Sequence, residues 1–300
     1  MSRPADAMST ALDRTRHVLF DPFDGAKYVG LAFCVWLSQV GSVAGNSSSW
    51  SARNRGGNGS GSPFDPHFWK QVTDFLQQWG ALLVAGGLLL LVVGIAVWAL
   101  LTFLQSRGLF MTIDNLVNDR GAVQAPWSAW AAEADALFRF RLSVGLAAGA
   151  VGLAAAGLAG FGVWLTWTGV PDGTHLGLLV VAGAISGAAA LAAALADWSA
   201  TEFVAPLMYV RRYGVADGFR DLRAMLGADL GGFLVYVLLK VVAGLGVGFL
   251  TVALTCMTCG LTLLPFLGTL ILLPLFVFLR TFALAFVAQQ ADDLAVLTGA

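Results

Sequence analysis

The chain of 300 residues is 58% hydrophobic and only 12% charged, and its net charge is −1. A soluble domain is about a quarter charged and a little under half apolar, so this composition belongs to the membrane class. The near-zero net charge offers no basic balance for nucleic acid, and three cysteines are too few for a disulfide framework.

In residues 1–24, Met8, Ala11, Leu12, Thr15, Val18 and Leu19 fall at helical spacing, with Asp6, Asp13, Arg14 and His17 off that stripe. The pattern predicts an amphipathic helix lying on a membrane surface. No apolar core with a small-residue cleavage site occurs there, so no removed leader is expected. After the turn signal Asp21–Gly25, residues 26–44 are a first, short predicted span, with Cys34 and Trp36 inside it.

Residues 45–62 are rich in Gly, Ser and Asn and are expected to form a flexible loop. Asn46-Ser-Ser and Asn58-Gly-Ser match the N-glycosylation pattern, but such triplets arise easily by chance in a loop of this composition. Residues 66–79 suggest a short interfacial helix with Phe68, Trp69, Phe75 and Trp79 at headgroup level. Residues 80–104 are the second predicted span.

A polar segment follows, 105–141, with Arg107, Arg120, Arg139 and Arg141. Pro126 can open a helix there, with Trp127, Trp130, Ala134 and Leu137 on one face. The stretch 143–196 then organises the chain. It holds two apolar runs, 143–168 and 176–196, and its only charged side chain is Asp172, in the turn between them. Crossing about 30 Å of hydrocarbon takes about 20 such residues, so this is a transmembrane hairpin. A second polar segment, 197–230, puts Phe219, Leu222, Leu226 and Leu230 on one face. Residues 231–256 and 261–288 are the fifth and sixth predicted spans, before a short acidic tail.

The expected fold is therefore all-α: one domain over residues 1–300, with six spans and cytoplasmic amphipathic helices. Counting Lys27 at its start, four Lys or Arg belong to the segment before the first span; four lie between the second and third, and four between the fourth and fifth. The turns after the third and fifth spans hold none, and the loop after the first holds three. The positive-inside rule then puts both chain ends in the cytoplasm. A threefold repeat of about ninety residues would overlay Gly121–Trp127 on Tyr213–Phe219, but the likeness between those residues is thin.

Few residues carry chemistry. The pairs Gly145/Gly149, Gly183/Gly187 and Gly244/Gly248 have GxxxG spacing, which lets helices approach closely, within one bundle or in a dimer. Lys240 and Arg280 lie at similar depth in apolar spans, where a charge costs about 2.5–3.5 kcal/mol at the bilayer centre. Either both snorkel to inner headgroups, or they form a polar cluster with Asp197 and Glu202; two cations at one depth would also suit a lipid phosphate. Cys256 and Cys259 form CxxC, read as a structural disulfide or as two reduced thiols in a tight turn. His17, His67 and His175 are scattered, so no metal set is expected. Asp114, Asn115, Asn118 and Asp119 are read as helix caps or solvated side chains. No cofactor motif and no catalytic set stands out.

Four phrases together carry a resemblance: ALDRTRHVLFDPFDGAKYVGLAF (11–33), SRGLFMTIDNLVNDRGAVQAPW (106–127), FVAPLMYVRR (203–212) and LPFLGTLILLPLFVFLRTFALAFVAQQ (264–290). The chain resembles a family of uncharacterised bacterial polytopic membrane proteins, loosely similar to the membrane domains beside glycerophosphodiester phosphodiesterases. The resemblance implies a six-helix bundle in a bacterial inner membrane and transfers no activity. The function expected is that of a non-enzymatic structural, interaction or lipid-contacting membrane protein. Its partners would be lipids, further copies of itself or other membrane proteins. The alternative is a small-solute transporter or channel using the inner-leaflet charges. A membrane-embedded enzyme acting on lipid would need converging acid/base groups that the sequence does not supply.

Overall fold

In the computed structural model, the described residues are 4–40, 66–167, 172–258, 260, 262 and 264–298; for 66–84, 163, 166, 167, 172–175 and 265 these are backbone alone. Among them the chain is helical, with no strand. The helices are α1 (Pro4–Phe20), α2 (Gly25–Gln39), α3 (Pro66–Val117), α4 (Gln124–Ala129), α5 (Ala131–Trp167) and α6 (Asp172–Ser199). A π-helical turn, Ala200–Val204, leads into α7 (Ala205–Arg211), then α8 (Val215–Ala228), α9 (Leu230–Met257) and α10 (Pro265–Ala288), and a 3₁₀ turn covers Asp292–Thr298.

Local chemistry sets several of these boundaries. The Asp24 carboxylate accepts from the Ala26 N–H at 2.9 Å and opens α2; Asp229 accepts from Gly232 N–H at 3.1 Å and opens α9. The last turn of α3 is closed from outside, because Arg14 Nη2 of α1 donates to the Leu116 and Val117 carbonyls at 3.1 and 3.0 Å. Arg212 ends α7 in the left-handed region at φ 53°.

Among the described residues, five helical stretches are long and apolar enough to cross a membrane: Ala85–Val117, Ala131–Gly162, Leu176–Arg211, Leu230–Met257 and Phe266–Ala288. Six were expected. The first of them, 26–44, is described only to residue 40, and its α2 has 15 residues, a length that rises about 22 Å. The expected loop, 45–62, lies outside the described residues.

The core sits toward one end of the long helices. The most apolar windows of the first three spans are only 6% buried, against 56% for the last. Burial instead gathers where Leu31 and Ala32 of α2, Leu109–Ile113 of α3, Ala205–Met208 of α7, and Phe282 and Phe286 of α10 meet. Aromatic rings cluster through it: Phe203 and Phe286 neighbour each other, and both neighbour Phe233 and Tyr236, with Tyr236 and Phe286 centroids 4.3 Å apart.

This layer changes two expectations. Residues 105–117 are not a polar connector but the continuation of one 52-residue helix, and they hold some of the most buried side chains in the chain. Their Ser106, Thr112, Asp114 and Asn115 are buried with partners, which is why polarity there does not mean exposure. Helix α1 has the expected amphipathic pattern, but its Ala7 and Ala11 are fully covered by the bundle. Its Thr15 hydroxyl meets that of Thr281 on α10 at 3.0 Å.

Close helix approach occurs at glycines outside the GxxxG pairs. A Cβ on Gly30 would strike the Gly121 carbonyl, and one on Gly121 would strike the Lys27 backbone, so α2 and the 118–123 loop touch main chain to main chain. Of the six GxxxG glycines only Gly145 has a near neighbour, the Trp98 ring; the other five have nothing within 4 Å.

Candidate functional site

The π turn at Ala200–Val204 is where buried charge collects. A π turn widens the helix and releases carbonyls from the regular ladder, a geometry common at functional positions. The freed Thr201 carbonyl accepts from Arg280 Nη1 at 3.2 Å. The Thr201 hydroxyl oxygen accepts from Arg141 Nη2 at 2.5 Å. One residue on, Glu202 Oε2 accepts from Lys240 Nζ at 3.0 Å and from the Tyr236 hydroxyl at 3.1 Å. Lys240 also donates to the Leu279 carbonyl at 2.5 Å, and its Nζ lies 6.0 Å from the Phe282 ring centroid.

Of these groups, Glu202, Lys240 and Arg280 face a cavity of about 260 Å³ between α2, α3, the π turn, α9 and α10. Ser38, Gln39, Thr112, Glu202, Lys240 and Arg280 supply its polar lining, and Val35, Phe276 and Leu279 its apolar lining. The Ser38 hydroxyl donates to the Val35 carbonyl at 2.7 Å and the Thr112 hydroxyl to the Gly108 carbonyl at 2.8 Å. Two cations face one carboxylate, and among the described residues no carboxylate pairs with Arg280.

Of the four residues that the sequence singles out, three meet here: Lys240, Arg280 and Glu202. Asp197 stands apart. It accepts from Arg141 Nε at 2.6 Å and, with Trp98, Thr102 and Gln105, lines a second cavity of about 190 Å³. Arg141 links the two places, since it also reaches Thr201. Sequence reasoning left out Arg141 and Tyr236. The Tyr236 signal was there to be used: it lies four residues before Lys240 on one helix, so the two share a face.

A second buried network lies nearby. Asp114 Oδ1 accepts from Asn118 Nδ2 at 3.0 Å, from Trp130 Nε1 at 3.1 Å and from the Tyr209 hydroxyl at 3.2 Å; Oδ2 accepts from Arg120 Nη2 at 2.6 Å. Asn115 donates to the Ala122 carbonyl and accepts from the Ala122 N–H, pinning the 118–123 loop. Asp119 pairs with Lys27 at 2.7 Å. These four oxygen-bearing side chains therefore tie α2, α3, α7 and the junction of α4 and α5 together, rather than simply capping a helix or facing solvent. The Arg212 guanidinium lies 3.3 Å from the Trp130 ring centroid and completes the stack over Tyr209.

Outside the long helices, Asp293 receives hydrogen bonds from Arg211 at 2.8 and 3.1 Å, and these hold its carboxyl below the usual range. Burial raises the Tyr213 hydroxyl above its ordinary value, as does the hydrogen bond it gives to Asp221 at 2.9 Å. Cys256 is exposed and Cys259 lies outside the described residues, as does any bond between them. Among the described residues no three His, Cys, Asp or Glu side chains are placed to hold a metal ion.

Comparison with known proteins gives one match. A family described as a family of unknown function (DUF7544) matches residues 3–297. No curated protein and no solved structure matches the chain. No link to the membrane domains of glycerophosphodiester phosphodiesterases emerges from these comparisons.

Proposed function

The chain belongs to that family of unknown function, and we propose that it is a non-enzymatic, lipid-contacting integral membrane protein whose polar cavity is a binding place. The observation that carries the reading is the Lys240–Glu202 pair beside Arg280 in a cavity of about 260 Å³ within apolar helices. A charged cavity at such a position is expensive and points to function. Its described lining supports the non-enzymatic reading. Its one carboxylate is already bonded to Lys240 and Tyr236, and its Ser38 and Thr112 hydroxyls donate to backbone carbonyls. Among the described lining residues no hydroxyl or carboxylate is left as an activated nucleophile or a free base.

In this reading the sixth span is the one expected over 26–44, of which 41–44 lie outside the described residues. Both chain ends then lie on the cytoplasmic side of a bacterial inner membrane. Arginine placement supports this topology. The open glycine faces at Gly183/Gly187 and Gly244/Gly248 leave room for lipid or for another copy of the chain.

The test is native mass spectrometry of the full-length chain released from mild detergent. Retained lipid, lost when Lys240 and Glu202 are replaced together, is the expected result. A second reading, a small-solute carrier, is favoured by the polar cavity itself. Solute flux into liposomes with no retained lipid would decide for it.

A further inference from the structure

The Arg280 guanidinium is the group in this cavity with unused capacity. Nη1 is taken by the Thr201 carbonyl, while Nε and Nη2 have no acceptor among the described residues. Those two donors form one straight edge of the guanidinium, the edge that matches two oxygens of a phosphate or carboxylate. Lys240 uses two of its three donors, on Glu202 and on the Leu279 carbonyl. Among the described residues Glu202 is the only acid on the cavity wall, so that lining carries one positive charge in excess. Apolar surroundings make that excess costly and an anion welcome. Phe276 and Leu279 on the same wall suit an apolar segment attached to the anion.

We propose that this cavity binds a phosphate-bearing ligand, with Arg280 gripping two phosphate oxygens through Nε and Nη2 and Lys240 adding its third N–H. The proposal rests on the cavity being a binding place, as argued above, and names what it binds. A phospholipid headgroup and free phosphate share this chemistry.

The experiment uses the full-length chain in a maltoside detergent, which carries no phosphate. Three probes are titrated and followed by native mass spectrometry and thermal unfolding: short-chain phosphatidylglycerol, a diacylglycerol with the same tails, and inorganic phosphate. The expected result is at least tenfold tighter binding of phosphatidylglycerol than of diacylglycerol, as one charge-assisted fork supplies. Arg280→Gln removes the preference, Arg280→Lys retains part of it, and Arg16→Gln, on the exposed face of α1, keeps it whole. Saturable stabilisation by inorganic phosphate that competes with phosphatidylglycerol supports the same site with free phosphate as its source. Equal binding of both lipids, unchanged in Arg280→Gln, overturns the ligand class while leaving the cavity a binding place. Binding of none of the three by the parent chain overturns both readings. The unfolding curve of each variant shows whether it is folded, and Arg280→Lys keeps the comparison intact if Arg280→Gln does not fold.

Discussion

Lys240 and Glu202 meet at 3.0 Å, although they come from different helices and are separated by 38 positions in sequence. Both side chains are largely hidden, 14% and 11% exposed. A buried pair costs most when only one partner is removed, because the other is left charged and unpaired. Glu202→Gln should therefore cost about 3–5 kcal/mol in unfolding measured in detergent. Lys240→Leu should also destabilise, leaving Glu202 with Tyr236 alone. The double variant Glu202→Gln/Lys240→Met should recover much of the loss. Single variants as stable as the parent would show that the pair is not held in this geometry.

Asp114 anchors four donors: Asn118 and Arg120 from the loop after α3, Trp130 from the junction of α4 and α5, and Tyr209 from α7. Removing its carboxylate strands all of them at once. Asp114→Ala should cost about 2–4 kcal/mol, given the penalty for each buried unpartnered group. Asp114→Asn keeps the shape and one acceptor oxygen, but loses the ion pair with Arg120, and should fall between the two. Chemical unfolding of the three proteins side by side checks the order.

Gly121 and Gly183 make opposite predictions for one substitution. A methyl on Gly121 meets the Lys27 backbone, which cannot rotate away, so Gly121→Ala should cost about 1–3 kcal/mol as overpacking does. Gly183→Ala meets nothing within the chain and should leave the isolated protein's stability unchanged. If Gly183→Ala instead shifts the mass of the particle in detergent, that face contacts another copy.

Asp293 gives a pH dependence of known sign. Its folded pKa is depressed by hydrogen bonds from Arg211, so the folded chain binds that proton less readily than the unfolded one. The contact adds stability above the unfolded carboxyl value, about 4, and loses it as the pH falls through the lower folded value. The gap in unfolding midpoint between the parent and Asp293→Asn should be open near neutral pH and close in acid. The effect is small, because half of the Asp293 side chain faces solvent.

Long apolar runs were readable directly, because hydropathy over about 20 residues depends on nothing but composition. The end of the second run was not. Ser106, Thr112, Asp114 and Asn115 look like solvent-facing residues until one sees that each has a partner inside the bundle. Lys240 and Arg280 stood out because charge is rare in apolar helices, and Glu202 followed from them. Asp197 went with them by sign alone, but only the geometry assigns it to Arg141. The π turn has no sequence signature of its own: Ala-Thr-Glu-Phe-Val would suit an ordinary helix. Glycine spacing misled for a related reason. GxxxG marks a surface that allows close approach, whereas Gly30 and Gly121 are small because a neighbouring backbone already occupies the space.

The contact between α1 and α10 has a consequence for how the protein is made. Thr15 leaves the ribosome 266 residues ahead of Thr281. Ala7, Ala11 and Thr15 therefore wait for α10 without the surface they are shaped for. Closure of the buried layer waits on α10, and a nascent chain stalled before residue 281 would still have that layer open.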